Sequence, residues 1–291
     1  MQTFEKSIMN MYGEKGRKWI AEIPDITAKL AKKYNLTELK PVSNMSYNYV
    51  ASGYLNEKPI ILKLGLNAEA LAKEEHCLQA FANFGVVNIF FSEEYALVIE
   101  QAIPGVTLKG YFPHREEESI EITSSLIKKL HHANIPLNHH VYHVRDLLQV
   151  LNNALNIPNK ILIKARKIRD KLIASTKENV LLHGDLHHEN ILQNGDDWVV
   201  IDPKGFIGDP VYEAAAFIRN PIPELLAHEN AKNIIHNRIF HFAEILEYPE
   251  QRIIDWCFVQ AVLCWIWALE DNCDSFYFKE LTEFFDRVTP M

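Results

Sequence analysis

Two stretches decide the fold of this chain: Leu181-Leu-His-Gly-Asp-Leu-His-His-Glu-Asn-Ile-Leu192 and, a short hairpin later, Trp198-Val-Val-Ile-Asp-Pro-Lys-Gly205. Each holds a polar cluster beside short apolar runs, Val180 to Leu182, Ile191 to Leu192 and Val199 to Ile201. Short apolar runs bounded by turn residues read as strands. Asp185, Asn190 and Asp202 are thereby held at the edge of a small sheet, with Asp185 and Asn190 five positions apart.

Working outward towards the N-terminus, the first residues read as helix through Trp19, Ile20 and Ile23. Pro24–Asp25 then opens a second short helix, capped by Asp25 and running through Leu30 and Tyr34. Alternation at Tyr47, Tyr49 and Ala51, the run Pro59-Ile-Ile-Leu-Lys-Leu-Gly65 after a turn at 56–59, and the segments Val86 to Phe91 and Tyr95 to Glu100 read as strands. Helical periodicity covers Ala68 to Phe84. Pro104–Gly105 punctuates the chain. Beyond it helices predominate, at roughly 116–131, 144–155, 159–175, 211–218, 223–246, 249–269 and 276–288. This organisation predicts an α+β protein of two lobes: residues 1–101, small and mostly β, and residues 102–291, larger and mainly helical.

Composition narrows the function. Of 291 residues, 48% are apolar and 23% charged, an ordinary globular balance. Lys plus Arg is 30 and Asp plus Glu is 38, so 30 − 38 leaves a net charge of −8, which opposes a nucleic-acid partner. The four cysteines, Cys77, Cys257, Cys264 and Cys273, form no CxxC pair, so neither a disulfide framework nor a zinc site is expected. No leader-like segment opens the chain, and the longest apolar run, Ala261 to Leu269, is about half of the ~18–20 residues a membrane span needs. A cytoplasmic protein without a membrane partner is expected, and nothing in the sequence specifies an oligomer.

The polar cluster has the residue types that phosphoryl transfer requires. One carboxylate must orient the attacking hydroxyl and take its proton, while a carboxylate and an amide oxygen hold Mg²⁺ on the phosphates. Asp185 suits the first role; Asn190 and Asp202 suit the second. The spacing follows the kinase catalytic loop H-R-D-L-x-x-x-N, with Gly184 in place of the Arg. That Arg commonly pairs with a phosphorylated activation loop, and the short path from Asp202 to the next helix leaves little room for one. A small-molecule acceptor is therefore expected. Lys63, a charge among strand apolars, is the candidate for the phosphates, with Glu74 as its partner because it lies four residues before Leu78; Glu75 is the alternative.

Several motifs together carry a resemblance. Tyr12-Gly-Glu-Lys-Gly-Arg-Lys-Trp19 with Ile23-Pro24, Leu62-Lys-Leu64, and Pro104-Gly105-Val-Thr-Leu108 precede the catalytic segment. His183-Gly-Asp-Leu-His-His-Glu-Asn190, Ile201-Asp-Pro-Lys-Gly205, Gly208-Asp-Pro210, Arg219-Asn-Pro221 and Trp267-Ala-Leu-Glu-Asp271 complete the set. With these the chain resembles the aminoglycoside phosphotransferase superfamily, and within it the aminoglycoside/hydroxyurea antibiotic-resistance kinases, which include streptomycin 6-phosphotransferases. The resemblance implies a bilobal protein-kinase-like fold with ATP between the lobes, without choosing between ATP and GTP. It implies Asp185 as base, Asn190 and Asp202 as Mg²⁺ ligands and Lys63 at the phosphates. It also implies a hinge at Gln101, Ala102 and Ile103 offering backbone groups to adenine.

Two departures stand out. The segment expected over the phosphates, residues 42–48, has no glycine. Glu213 stands where the family usually has Asp directly after Gly-Asp-Pro-x-Tyr, and a longer side chain is expected to brace the catalytic loop together with buried His183.

Other readings attach to single features. His183, His187 and His188 suggest a transition-metal site, against the plainer expectation that they brace or line the cleft. Trp256, Trp265 and Trp267 read as core before sugar-stacking residues. Glu270 and Asp271 place acid at a helix C-terminus, where the dipole disfavours it, and so are assigned to a cationic substrate group, a nearby Lys or Arg being the alternative. His131-His132 and His139-His140 receive no role. Two further classes compete with the small-molecule kinase: a catalytically silent nucleotide- or metabolite-binding protein of kinase fold, and a protein kinase.

Overall fold

The computed structural model describes residues 2–43, 45, 47–136, 141–153 and 156–289. Asn44 and Ser46 of the expected phosphate cover, His139 and His140, and the end of the helix expected at 144–155 lie outside these.

The chain opens with α1 (Gln2–Tyr34), two helical segments that meet at a kink at Gly13 rather than at Pro24. Pro24 lies inside it, because proline's fixed φ is helical and its missing N–H removes a single hydrogen bond. The non-helical residue is Gly13, at φ 55°, a conformation open to glycine. Strand β1 (Leu36–Pro41), not foreseen in the sequence, is followed by β2 (Tyr49–Leu55), β3 (Lys58–Leu64), α2 (Ala68–Ala80), β4 (Ile89–Glu93) and β5 (Ala96–Glu100). The strands form an antiparallel sheet in the order β1-β2-β3-β5-β4.

Alternation gives the sheet two faces. Tyr49, Ala51, Ile60, Leu62, Leu64, Ala96 and Val98 pack with Phe4, Ile8 and Trp19 of α1 in one core. Leu97 and Ile99 face the other way, into a larger core shared with Leu71, Cys77 and Leu78 of α2 and with the helical half. Lys63, between Leu62 and Leu64, consequently points to the cleft side, and a one-residue slip of β3 would turn it into the α1 core.

Pro104 and Gly105 do not end the β structure; they begin β6 (Pro104–Thr107). Proline fits there because β6 is an edge strand. It pairs with β9 (Ile191–Asn194), which pairs with β10 (Asp197–Val200), in the order β10-β9-β6. Between β6 and β9 the chain forms α3 (Glu116–Leu130), β7 (Tyr142–His143), α4 (Val144–Leu147), α5 (Asn159–Ser175) and β8 (Val180–Leu182). After β10 come β11 (Phe206–Gly208), α6 (Ala214–Ile218), α7 (Glu224–Ala227), α8 (Ala231–Leu246), α9 (Glu250–Glu270) and α10 (Phe276–Val288). A second small sheet has the order β7-β11-β8.

Helix α9 has the length and apolarity of a membrane span, more than the run 261–269 suggests, yet 78% of its most apolar window is buried in the fold. Its interior polar residues find partners: Asp255 accepts from Gln251 at 2.8 Å, and Gln260 Nε2 donates to the Tyr212 carbonyl at 2.7 Å. Trp256 and Trp265 are core residues of this helix, whereas Trp267 is partly exposed.

Candidate active site

The two motifs are tied by their own backbone. The loop 183–190 leaves β8, and its His183 carbonyl accepts the N–H groups of Lys204 and Gly205 at 2.8 and 3.1 Å. At the other end Ile201 N–H donates to the Asn190 carbonyl at 3.0 Å. Gly184 has φ 83°, and a Cβ there would sit 2.4 Å from the Phe206 ring. The position that is Arg in protein kinases therefore has room for no side chain. Buried Glu213 accepts from the N–H groups of His183 and Gly184 at 2.7 and 3.0 Å, so the longer acid reaches both. Burial pushes its pKa up to about 7, more than those two hydrogen bonds pull it down.

Around this frame the proposed site residues converge. Asn190 Nδ2 donates to the Asp185 carbonyl at 2.9 Å, which leaves its amide oxygen for a cation. Asp202, at φ 61° beyond β10, receives Lys63 Nζ at 3.0 Å and Lys204 Nζ at 2.6 Å. Burial would raise the Asp202 pKa, but the two ammonium groups hold it well below the usual carboxylate range. Lys63 Nζ also lies 2.7 Å from both oxygens of Glu74. Burial works against its charge, and the Glu74 and Asp202 carboxylates overcome that and raise its pKa. Glu75 instead accepts from Ser92 and Gln79, so α2 turns Glu74, on its buried stripe with Leu71, Cys77 and Leu78, to the lysine.

The carboxylate of Asp185 faces Arg219 Nη2 at 3.4 Å and His187 Nε2 at 3.7 Å. Arg219 is fixed from behind by Gln260 Oε1 at 2.7 Å. The three histidines do not share a centre. His183 bonds the Ile201 carbonyl, His188 stacks on Phe217 and meets Arg238, and among the described residues no group of three His, Cys, Asp or Glu is arranged for a metal. Burial lowers the His183 pKa to about 4 and draws His187 and His188 below the usual histidine range, so all three are neutral at pH 7. An Asp and an Asn oxygen, by contrast, suit Mg²⁺, which takes one or two protein carboxylates and completes its shell with water and phosphate.

Of the hinge residues, Gln101 N–H is bonded to the Pro59 carbonyl, and Ile103 is engaged at both ends, by Asn194 Oδ1 and by Gly195 N–H. The N–H of Ala102 has no partner among the described residues. Val42 N–H pairs with the Val50 carbonyl at 3.0 Å, just beyond β1 and inside β2, and Asn48 lines the cleft.

A cavity of about 460 Å³ opens beside Asp185, lined among others by Asn48, Lys73, Arg219, Gln260, Cys264 and Trp267. Glu270 and Asp271 do not line it; they are exposed at the end of α9, one turn beyond Trp267, where water meets their charge. Arg219, Lys204, Gln260 and Lys73 are site residues that the sequence reading left without a role. Only the Arg219-Asn-Pro221 motif hinted at the first.

A five-stranded sheet with a Lys–Glu pair, closing over a helical lobe that carries the catalytic loop, is the protein-kinase-like fold. Choline kinase LicA of Streptococcus pneumoniae shares it at TM-score 0.67 and 15% identity, over 92% of this chain and 98% of that one. A thermostable mutant of aminoglycoside phosphotransferase APH(4)-Ia, solved with AMP-PNP and hygromycin B, shares it at 0.64 and 15%, over 90% and 96%. In sequence, streptomycin 6-kinase of Streptomyces griseus is 22% identical over 276 residues, 89% of this chain and 87% of that protein. The family model of the aminoglycoside/hydroxyurea antibiotic resistance kinases matches residues 42–272. The chain belongs to that family, and is a phosphotransferase with an alcohol group as acceptor.

Proposed function

We propose that this protein transfers the γ-phosphoryl group of ATP to a hydroxyl of a small molecule, with Asp185 as the base. The observation that carries the reading is the meeting of Lys63 with both Glu74 and Asp202, at 2.7 and 3.0 Å, next to the Asp185–Asn190 loop. Residues 1–101 would hold the nucleotide with its phosphates on Lys63, and the first residues beyond them, at the hinge, would meet adenine through Ala102 N–H. Residues 102–291 would supply the loop and the acceptor cavity. Asn190 and Asp202 would hold Mg²⁺, which supplies charge neutralisation on the phosphates. Asp185 then orients the acceptor hydroxyl and accepts its proton, and Arg219 fixes which carboxylate oxygen faces the cavity. Positioning and electrostatics suffice for a loose phosphoryl transition state. Four free cysteines suit a reducing, cytoplasmic setting.

Asp185→Ala is expected to lower acceptor-dependent ADP release by about 10²-fold or more while Mg·ATP still binds. Near-normal turnover would remove Asp185 from the base role. Streptomycin is the first acceptor to try, since the curated relatives are named for it.

A further inference from the structure

Asp202 receives two ammonium groups, one on each oxygen. Lys63 Nζ lies 3.0 Å from Oδ1, and Lys204 Nζ lies 2.6 Å from Oδ2. Lys63 has a second partner in Glu74, both of whose oxygens are 2.7 Å away. Lys204 has none: among the described residues Asp202 is its one ion-pair partner.

The catalytic loop 183–190 contains no Lys or Arg. A fixed positive charge for the phosphoryl group therefore has to come from another element. The other cations of the cavity are engaged elsewhere. Arg219 is held between Asp185 and Gln260, and Lys73 rests on the rings of Phe206 and Tyr142, 4.5 and 5.0 Å from their centres. Lys204 stands over the loop. Its N–H donates to the His183 carbonyl at 2.8 Å, which ties its backbone to the loop's first residue. Its Cβ lies 3.5 Å from the place that a Cβ on Gly184 would take. The side chain lines the cavity together with Gly184 and Asp185, and 45% of it remains accessible. A flexible four-carbon stem on a fixed backbone lets the ammonium turn from one oxyanion to another.

We propose that Lys204 is a catalytic residue, one that exchanges Asp202 for the oxygens of the γ-phosphoryl group. In the ligand-free chain it holds Oδ2 of Asp202. Once that carboxylate serves Mg²⁺, an ammonium on its second oxygen is repelled by the divalent charge, while the γ-phosphoryl oxygens offer a negative partner. In the transfer, the acceptor oxygen bonds to phosphorus as the bond from phosphorus to the β–γ bridging oxygen breaks. The electron pair of that bond leaves with ADP, and Asp185 takes the hydroxyl proton. Lys204 gives up no proton. It donates hydrogen bonds to oxygens whose charge it offsets, the part an arginine finger plays in other phosphotransferases. The inference rests on the phosphotransferase reading and adds a residue to its machinery.

Lys204→Met tests this with two readouts. The first needs no turnover: ADP binding, followed by the rise in Tm, is titrated with Mg²⁺. The half-saturating Mg²⁺ concentration should fall about threefold or more in the variant, because no ammonium has to leave Asp202. The second is kcat for ADP release, with streptomycin or water as acceptor. It should fall about 10²-fold or more, and Lys204→Arg should restore part of it by keeping the charge. A kcat close to that of the wild type, or an unchanged Mg²⁺ requirement in Lys204→Met, would overturn the assignment. If the wild type itself shows no Mg²⁺-dependent nucleotide binding, the phosphotransferase reading falls and this inference with it. Wild-type binding and turnover together with an indifferent Lys204→Met remove this inference alone.

Discussion

Glu213 couples the catalytic loop to pH through a single carboxylate. Unfolded, it titrates near the ordinary value of 4.5; folded, burial moves it to about 7. Between these values the folded protein holds the extra proton, so this group's contribution is most favourable below pH 4.5 and is lost as pH rises through 7. The size of that loss is on the order of 3 kcal/mol. Denaturant unfolding of wild type and Glu213→Gln at pH 5 and pH 8 should show the wild type falling relative to the variant by such an amount; a pH-independent difference would count against the buried, shifted carboxylate. The bracing role was legible from the Gly-Asp-Pro-x-Tyr context. The reach to two N–H groups was not, because it depends on where the loop and the turn at Pro210–Glu213 come to rest. Arg219 illustrates the same limit: its motif was visible, but its approach to Asp185, 34 positions earlier, is made by the packing of α6 against α9.

At the scale of elements, the seating of α2 decides whether Lys63 keeps its partner. Gly205 has φ 64°, and a Cβ on it would lie 1.9 Å from Cys77 Sγ, within the stripe that carries Glu74. Gly205→Ala is therefore expected to displace α2, costing about 2–4 kcal/mol of stability from overpacking and the left-handed backbone, and to reduce kcat/KM at least tenfold as Lys63 loses Glu74. Adding Cys77→Ala should recover the steric part of both losses, measured by thermal unfolding and ADP release. Strict additivity of the two substitutions would argue that they do not touch. Most helices were readable from their periodicity, α5 and α10 to the residue. Boundaries shifted at α2, which stops at Ala80, at β4, which runs Ile89–Glu93, and within 223–246, which divides into α7 and α8. Two prolines also behave otherwise than expected: Pro24 continues a helix and Pro104 opens an edge strand, and each outcome depends on whether a neighbour needs the missing N–H.

For the whole molecule, two cores meet at the sheet, and the larger one runs through α2 into the helical half. Backbone bonds from Gly85 and Val87 to Val200 add a second tie, so the halves on either side of residue 101 are joined beside the cleft as well as through the hinge. A ligand held in the cleft should stabilise the entire unit. At about 100 times Kd, Mg·ATP is expected to add about 2.7 kcal/mol, seen as a rise of several degrees in Tm. Asp202→Asn should abolish the Mg²⁺-dependent part of the rise, and an unchanged shift would count against Asp202 as a ligand.

The sequence by itself supplied the chemical candidates, side chains of the types that take a proton, bind a divalent cation or hold a phosphate, because those residues lie close together on a strand–loop–hairpin whose form follows from local apolar runs. It also determined the family, since the motifs extend along most of the chain. Only the tertiary structure decided that Glu74 rather than Glu75 meets Lys63, that Ala102 N–H has no partner among the described residues, that Glu270 and Asp271 stay in solvent, and that Lys73 and Arg219 enter the cavity. Each of those outcomes turns on the rotation and seating of elements remote in sequence. Periodicity indicates which face of an element is buried, but packing alone fixes what that face meets.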